Sequence, residues 1–289
     1  MEQRSFRIQS GFSTNALYWI TSLKDEEMGV TNRILEDLQP YILSQNLLFR
    51  SVHVRSKLEL NNLLKEIIWL AHDGVKPIIH FDMHGSASNG LHIVGEGDYY
   101  PWNELYDDLQ SVNIQCGNNL LIVAGVCYAM HMMLALKYDM PCSNYAIIAP
   151  EKKVTFGFLE KNTVKFYEHL FKSMDLIEAY NRHLSGQMRM MHCEKIFAQL
   201  IAGYVIKYTM GKKAIERKEN LLSEIINVSR ENTPSFLRKA RATIKEHIKP
   251  KQDLVDKYSG IYLIGKECGF TMDDILRTLG YYDNRPQRL

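Results

Sequence analysis

The chain lacks the long hydrophobic segments that mark membrane proteins and exported proteins. Its 289 residues include no run of 18 apolar residues, so no membrane-spanning helix is expected. The first residues, MEQRSFRIQSGFSTN, do not combine a basic segment with an apolar one, so no secretory signal is expected. Five scattered cysteines include no Cys-x-x-Cys pair, which disfavours a zinc ribbon and a disulfide framework. These absences predict a cytoplasmic protein with reduced thiols.

The chain also lacks the glycine-rich loops that bind phosphate groups. Neither GxGxxG nor GxxxxGK with a following Ser or Thr comes after the first predicted strand. A flavodoxin-type ligand-binding domain is therefore disfavoured, and no cofactor or metal ion is expected. The composition is that of an ordinary globular protein, with 46% hydrophobic and 24% charged residues.

Positive charge is concentrated in the second half of the chain. Residues 1–149 hold 10 basic and 16 acidic residues, whereas residues 150–289 hold 25 basic and 17 acidic residues. This asymmetry fits two domains or a basic face for an acidic partner, and surface lysines distributed by chance are an alternative. The basic helix predicted over Ser235–Lys249 lacks interleaved aromatic residues, so nucleic-acid binding is disfavoured.

Strand and helix patterns alternate through the first 185 residues. Short apolar or alternating runs predict strands, and apolar residues at a period near 3.6 predict helices between them. This alternation predicts a mostly parallel sheet with helices on both faces. The predicted strands are Ser5–Gly11, Ala16–Thr21, Leu47–Val54, Pro77–Phe81, Leu120–Val126 and Tyr145–Ala149. The predicted helices are Asp25–Gln45, Ser56–Gly74, Trp102–Ser111, Tyr128–Lys137, Leu159–Ser173 and Asp175–His183.

The pattern becomes purely helical from about Gly186. The stretch His192–Val228 contains almost no helix-breaking residues and predicts one long helix or two consecutive ones. Thr233 and Pro234 then provide a cap and a first position for another helix. The sequence therefore divides into an α/β domain over residues 1–185 and a basic helical region over residues 186–289.

Two residues with acid–base and nucleophilic chemistry follow two of the predicted strands. His84 comes just after Pro77–Phe81, and Cys127 comes directly after Leu120–Val126. Open α/β sheets place their chemistry outside the carboxyl ends of the strands, so neighbouring strands would bring these side chains together. A nucleophilic thiol needs a neighbouring imidazole or a helix N-terminus, and the predicted helix after Cys127 would supply the second.

Glycine next to the histidine fits the same chemistry. Gly85 allows a substrate carbonyl to approach the backbone, and the amides of Gly85 and Cys127 could form an oxyanion hole. No carboxylate that orients His84 is identifiable, although Asp82 shares its side of the strand. His80 lies inside an apolar run and is expected to be structural. Asp82, Gly125 and Glu151 are candidate substrate-binding residues.

This central stretch resembles a known peptidase family. The segments DMHGSASNGLHIVGEGDYYPWNEL and LLIVAGVCYA have the order strand, His-Gly, glycine-rich hairpin, short helix, and strand ending in Cys. That order is similar to the caspase-like (clan CD) cysteine peptidases, in particular the bacterial CHAT group. The resemblance extends through YAIIAPEKKVTFGFLEKNTVKFYEHL and covers residues 1–185.

The resemblance carries implications for fold and activity. It implies a caspase-like, flavodoxin-like three-layer sandwich with a His84–Cys127 dyad. Such a dyad hydrolyses a protein substrate through a thioacyl-enzyme. Members of the group often act as effectors that a partner activates, including in phage defence. The basic C-terminal helices are the expected contact for an activating protein.

The residues around the cysteine depart from the family pattern. The sequence here is Gly125-Val126-Cys127-Tyr128. It has no Asp two residues before the cysteine, and it lacks the Ser-Ala-Cys motif of the CHAT group. An alternative interpretation is therefore a catalytically inactive relative that works as a regulatory or protein-binding module. Loss of function on changing His84 would favour the peptidase over this alternative.

Overall fold

A computed structural model describes residues 11–137 and 139–281, which divide into two compact units. Residues 11–193 and 261–266 form the sheet unit, and residues 194–260 and 267–281 form the helical unit. The predicted domain boundary at residue 185 lies before the last strand of the sheet unit. The predicted strand Ser5–Gly11 falls outside the described residues except for Gly11, which is not in a strand.

The sheet unit contains a six-stranded sheet and a small three-stranded hairpin sheet. The four central strands of the larger sheet consist entirely of buried residues, as strands covered by helices require. The strands are β1 (Ala16–Ser22), β2 (Leu48–His53), β3 (Pro77–Met83), β4 (Gly85–Ser86), β5 (Gly90–Ile93), β6 (Asp98–Tyr100), β7 (Leu121–Ala124), β8 (Ala146–Ala149) and β9 (Arg189–His192).

The six-stranded sheet has the order β2-β1-β3-β7-β8-β9. The first five strands run parallel, and β9 pairs with β8 antiparallel. The predicted mostly parallel sheet is thus confirmed. The chain winds outward in both directions from the β1–β3 pair, and this change of direction is the point where doubly wound sheets open a crevice.

Helices cover both faces of the sheet. One face packs against α2 (Lys57–His72) and α3 (Trp102–Gln115), whose apolar residues share a core with Ile79 and Phe81 of β3. The other face of the sheet packs against α1 (Met28–Ser44) and α4 (Phe156–Ser173). Thr31 of α1 and Tyr167 of α4 bond to β3 residues on that face. The short helix α5 (Leu176–His183) contacts α4. This α/β arrangement is compatible with a three-layer sandwich.

The segment after β7 differs from the prediction. The sequence predicts an α-helix over Tyr128–Lys137, whereas the structure has a 3-10 helix over Ala129–Ala135. Tyr128 adopts a left-handed backbone with φ of 64°, and its amide donates to the Lys152 carbonyl at 3.0 Å. The Met130 amide donates to the Pro150 carbonyl at 3.2 Å. Because its backbone is left-handed, Tyr128 cannot belong to a right-handed α-helix, and the loop carbonyls accept from first amides that have no partner within the helix.

The helical unit contains consecutive helices, as the sequence predicts. Thr233 caps α8 through the Phe236 amide, and Pro234 occupies its first position. Within residues 11–137 and 139–281, no helix is both long and apolar enough to cross a membrane. The helices are α6 (Cys193–Thr209), α7 (Gly211–Ser229), α8 (Pro234–His247), α9 (Gln252–Tyr262) and α10 (Met272–Thr278).

Candidate active site

The register between β3 and β7 brings His84 and Cys127 to the same edge of the sheet. Phe81 lies opposite Ala124, and each candidate residue follows its strand partner by three positions. The pairing continues beyond β7, since the Gly125 amide donates to the Phe81 carbonyl at 2.8 Å. His84 and Cys127 therefore leave neighbouring parallel strands at the same level.

Gly85 makes the close approach between the two strand ends possible. A Cβ atom at this position would lie 2.3 Å from the Cys127 carbonyl oxygen and 2.6 Å from Cγ1 of Val126. Both distances are far below van der Waals contact, so only glycine fits here without displacing the backbone. The backbone immediately after His84 is thus in contact with the backbone of Cys127.

His84 is bonded to a carboxylate that the sequence analysis missed. Its Nε2 lies 3.0 Å from Oε1 of Glu27, and the two side chains are 42% and 30% exposed. The other Glu27 oxygen accepts the Lys24 amide at 3.1 Å. That backbone bond, followed by the bond to His84, lowers the pKa of Glu27. Glu27 is therefore ionised at neutral pH.

A sequence signal for Glu27 exists, although it is weak. Asp25, Glu26 and Glu27 begin three positions after the last residue of the first strand of the sheet, at its carboxyl end. Because β1 neighbours β3, an acidic residue there can reach a histidine that follows β3. The sequence analysis assigned the acidic run to the beginning of a helix, where carboxylates favour the positive end of the dipole.

The loop leading into α4 lies beside both candidate residues. The His84 ring meets the Phe156 ring edge-on, with centroids 6.4 Å apart. The Cys127 thiol lies 3.9 Å from the Val154 carbonyl oxygen and donates to it. On the other side, the His84 carbonyl accepts the His92 amide at 2.9 Å, which fixes the hairpin against β3. Both functional groups therefore face the Val154–Phe156 segment.

Two backbone amides at this edge are candidates for binding an anion, one because of its direction and one because no acceptor among the described residues takes its hydrogen. In an antiparallel ladder, hydrogen-bonded and non-hydrogen-bonded pairs alternate. His84 and His92 form a hydrogen-bonded pair, so the next pair, Gly85 and Leu91, is non-hydrogen-bonded. The Gly85 amide therefore points away from β5. Within residues 11–137 and 139–281, the Cys127 amide donates to no acceptor.

The three candidate substrate-binding residues lie elsewhere. Asp82 is only 6% exposed and accepts the Thr31 hydroxyl at 2.6 Å, and burial raises its pKa. Gly125 is buried beneath Leu159. The candidate residues Asp82 and Gly125 are therefore both interior. Glu151 is exposed and forms an ion pair with Arg189.

Beneath the site, β3 carries a buried histidine with a structural environment. The His80 ring stacks on Trp19 with centroids 3.6 Å apart, and its Nδ1 lies 2.8 Å from the Tyr167 hydroxyl. Burial lowers the pKa of His80 to about 3, so the ring is neutral. A cavity of about 10 Å³ beside His80 and Asp82 has room for about one water molecule.

The described residues contain no candidate metal centre, and the sequence comparisons with known proteins give no match. Within residues 11–137 and 139–281, no group of three or more His, Cys, Asp and Glu side chains has metal-binding geometry. A scan against protein-family models gives no match to the chain, and a search of curated proteins gives no significant match.

Proposed function

We propose that the chain is a caspase-like cysteine endopeptidase with a His84–Cys127 dyad. The observation that carries the proposal is the juxtaposition of the His84-Gly85 and Cys127 strand ends at one sheet edge. A histidine and a partly exposed cysteine at neighbouring strand ends are the residue types that nucleophilic catalysis by cysteine uses. The resemblance of the central stretch to the CHAT group supports the same reaction.

The reaction has two halves that the dyad performs in turn. Cys127 Sγ attacks the scissile carbonyl carbon, its proton passes to His84, and the carbonyl π electrons move onto oxygen. The tetrahedral intermediate collapses, the C–N bond breaks, and His84 returns the proton to the leaving amine. A water molecule then attacks the thioester and gives a proton to His84. The C–S bond breaks, the carboxylic acid leaves, and His84 returns the proton to the Cys127 sulfur.

The amides of Gly85 and Cys127 are the proposed oxyanion donors. Both belong to the backbone, so they are held by the sheet and need no rearrangement as charge develops on the carbonyl oxygen. The Tyr128 amide is not part of this set, since it donates to the Lys152 carbonyl. By resemblance, the substrate is a protein, and the basic C-terminal helices are the proposed contact for an activating partner.

Labelling with a thiol-directed electrophile tests the nucleophile. Iodoacetamide labelling with mass spectrometry is expected to modify Cys127 fastest, because Cys116, Cys142 and Cys193 are buried. Cys127→Ala is expected to abolish both this labelling and the cleavage of a casein or peptide-library substrate. His84→Ala is expected to slow the labelling of Cys127 at least tenfold, because it removes the proton acceptor.

Cys268 provides the matched control. It is the other partly exposed cysteine, so Cys268→Ala should leave the labelling rate of Cys127 and the cleavage of the substrate unchanged. Fast labelling that persists in Cys127→Ala and disappears in Cys268→Ala would overturn the assignment of the nucleophile.

A second candidate function is a catalytically inactive protein-binding module. It is favoured by the bond from the Cys127 thiol to the Val154 carbonyl, because this bond directs the thiol hydrogen towards the backbone. The altered sequence around Cys127 favours it too. The two functions differ in the His84→Ala protein, which retains full biological activity only if the chain works by binding.

A further inference from the structure

We propose that Glu27 is the positioning residue for His84, selecting the ring tautomer that lets Nδ1 accept the proton of Cys127. The inference rests on the proposed function. The resemblance implies a dyad with no carboxylate, and the inference adds Glu27 to it. It is carried by the bond between Glu27 Oε1 and His84 Nε2, which is 3.0 Å long.

Glu27 itself is held in place from two sides. Its Oε2 accepts the Lys24 amide at 3.1 Å, while its own amide donates to the Lys24 carbonyl at 2.9 Å. These reciprocal bonds close the turn before α1 and fix the carboxylate relative to the backbone. A carboxylate with one oxygen already fixed loses little conformational entropy when the other oxygen binds the imidazole.

The other charged groups near His84 do not provide this contact. Asp82 belongs to the same strand, but its carboxylate bonds to Thr31 in the interior. His92 approaches His84 with ring centroids 6.4 Å apart, which is too distant for a hydrogen bond. Asp25 and Glu26, the acidic neighbours of Glu27, are exposed. Lys24 contributes its backbone amide to Glu27.

An ionised carboxylate determines which ring nitrogen carries the proton. A carboxylate accepts but cannot donate, so a neutral His84 must place its hydrogen on Nε2. Nδ1 then keeps its lone pair and can accept a proton. When the Cys127 proton arrives, the resulting imidazolium remains paired with the Glu27 carboxylate, which stabilises the charge that develops during the attack.

A plain surface ion pair is the competing interpretation. Exposed pairs contribute little to stability, and in this interpretation Glu27 does not hold His84 in one tautomer. The two interpretations predict different results for the ring tautomer of His84 and for the effect on kcat relative to KM. Neither measurement depends on folding stability.

The tautomer of His84 provides a test that needs no peptidase activity. In the full chain with ¹⁵N-histidine, imidazole shifts recorded at about pH 9 report neutral rings. The His84 signals are assigned by their loss in His84→Gln. The wild type and the matched control Glu26→Ala are expected to show the Nε2–H tautomer of His84. Glu27→Ala is expected to show a mixture of both tautomers.

Kinetics provide the second readout. Glu27→Ala is expected to lower kcat by about 10–100-fold, the usual effect of removing a residue that orients a functional histidine, with KM within twofold of wild type. Glu27→Gln keeps an acceptor oxygen without the charge, so it is expected to restore part of the lost kcat. Glu26→Ala should match wild type in both parameters.

The outcomes separate this inference from the proposed function. An unchanged tautomer in Glu27→Ala would overturn the role of Glu27, whether or not the chain cleaves peptides. If Glu27→Ala shifts the tautomer but wild-type protein shows no Cys127-dependent cleavage, the peptidase assignment fails and the control of the His84 ring by Glu27 stands.

Discussion

At the residue scale, the absence of a Cβ atom at Gly85 allows the two strand ends to lie in contact. The backbone of Gly85 lies against the Cys127 carbonyl, and no space remains for a Cβ atom. His84, one residue earlier, is bonded through its ring to Glu27 and through its carbonyl to the hairpin. The residues of the candidate site are thus fixed by contacts on several sides, as preorganised sites require.

Gly85→Ala is expected to destabilise the chain by about 1–3 kcal/mol and to separate the two strand ends. The physical reason is the clash of the new methyl group with the Cys127 carbonyl and Val126. Urea unfolding measures the free energy, and iodoacetamide labelling of Cys127 reports the local change.

Gly157→Ala is the control for this substitution. Gly157 lies in α4, and a Cβ there meets no atom within 4 Å. Alanine is therefore expected to stabilise by up to about 1 kcal/mol, as it does at other exposed helix positions. Equal effects of the two substitutions would contradict the close approach at Gly85.

At the element scale, β3 has three functions along one strand. Ile79, Phe81 and Met83 join the core beneath α2 and α3. His80 and Asp82 point to the opposite face and bond to α4 and α1. The same alternation continues to His84, which emerges at the carboxyl end of the strand. The polar residues of β3 therefore anchor helices inside the protein before the strand reaches the site.

The buried histidine of β3 makes folding stability depend on pH. His80 has a pKa of about 3 in the folded chain and an ordinary value of 6.5 when unfolded, so the unfolded chain binds an additional proton between these values. Its contribution to stability is complete above about pH 6.5 and is lost as pH falls towards about 3. The slope in this window is about 1.4 kcal/mol per pH unit for a single proton.

Urea unfolding at pH 7.5 and at pH 5 tests this dependence. His80→Asn keeps a polar group that can meet the Tyr167 hydroxyl but does not titrate. The wild type is expected to lose about 2 kcal/mol more than His80→Asn between the two pH values. The same loss in both proteins would show that His80 does not contribute to the pH dependence.

At the scale of the whole molecule, one buried asparagine, Asn118, makes hydrogen bonds to segments of the sheet unit that are distant in sequence. Asn118 accepts from Asn113 at 3.1 Å, and it donates to the Leu263 carbonyl at 3.1 Å and to Cys193 Sγ at 3.4 Å. The Cys142 amide donates to the Tyr262 carbonyl nearby. Residues 261–266 thus belong to the sheet unit although both flanking segments belong to the helical unit.

Asn118→Ala is expected to destabilise the sheet unit by about 3 kcal/mol. It removes buried hydrogen bonds and places alanine in a left-handed backbone with φ of 56°. Urea unfolding gives the free energy, and amide exchange over residues 261–266 should accelerate.

Asn118→Gly separates the two causes. Glycine tolerates the left-handed backbone, so this variant should be about 1 kcal/mol more stable than Asn118→Ala while showing the same acceleration of exchange. Wild-type exchange over residues 261–266 in either variant would contradict the role of the asparagine side chain.

Much of the fold could be predicted because its signals are local. The strands Pro77–Phe81 and Tyr145–Ala149 are short apolar runs, and the intervening helices repeat with a period near 3.6. The structure confirms these elements within a few residues. It also has the antiparallel strand β9, which the sequence analysis did not predict because RMMH carries little periodic signal.

The sequence by itself determined the alternation of strands and helices, the parallel sheet, and the place of His84 and Cys127 after two strands. Only the tertiary structure decided that Glu27 meets His84, that Gly85 lies against Cys127, and that Asp82 and Gly125 are interior. The physical reason is separation along the chain: Glu27 and His84 are 57 positions apart, and no local pattern encodes such a contact. It exists because β1 and β3 are neighbours in the sheet.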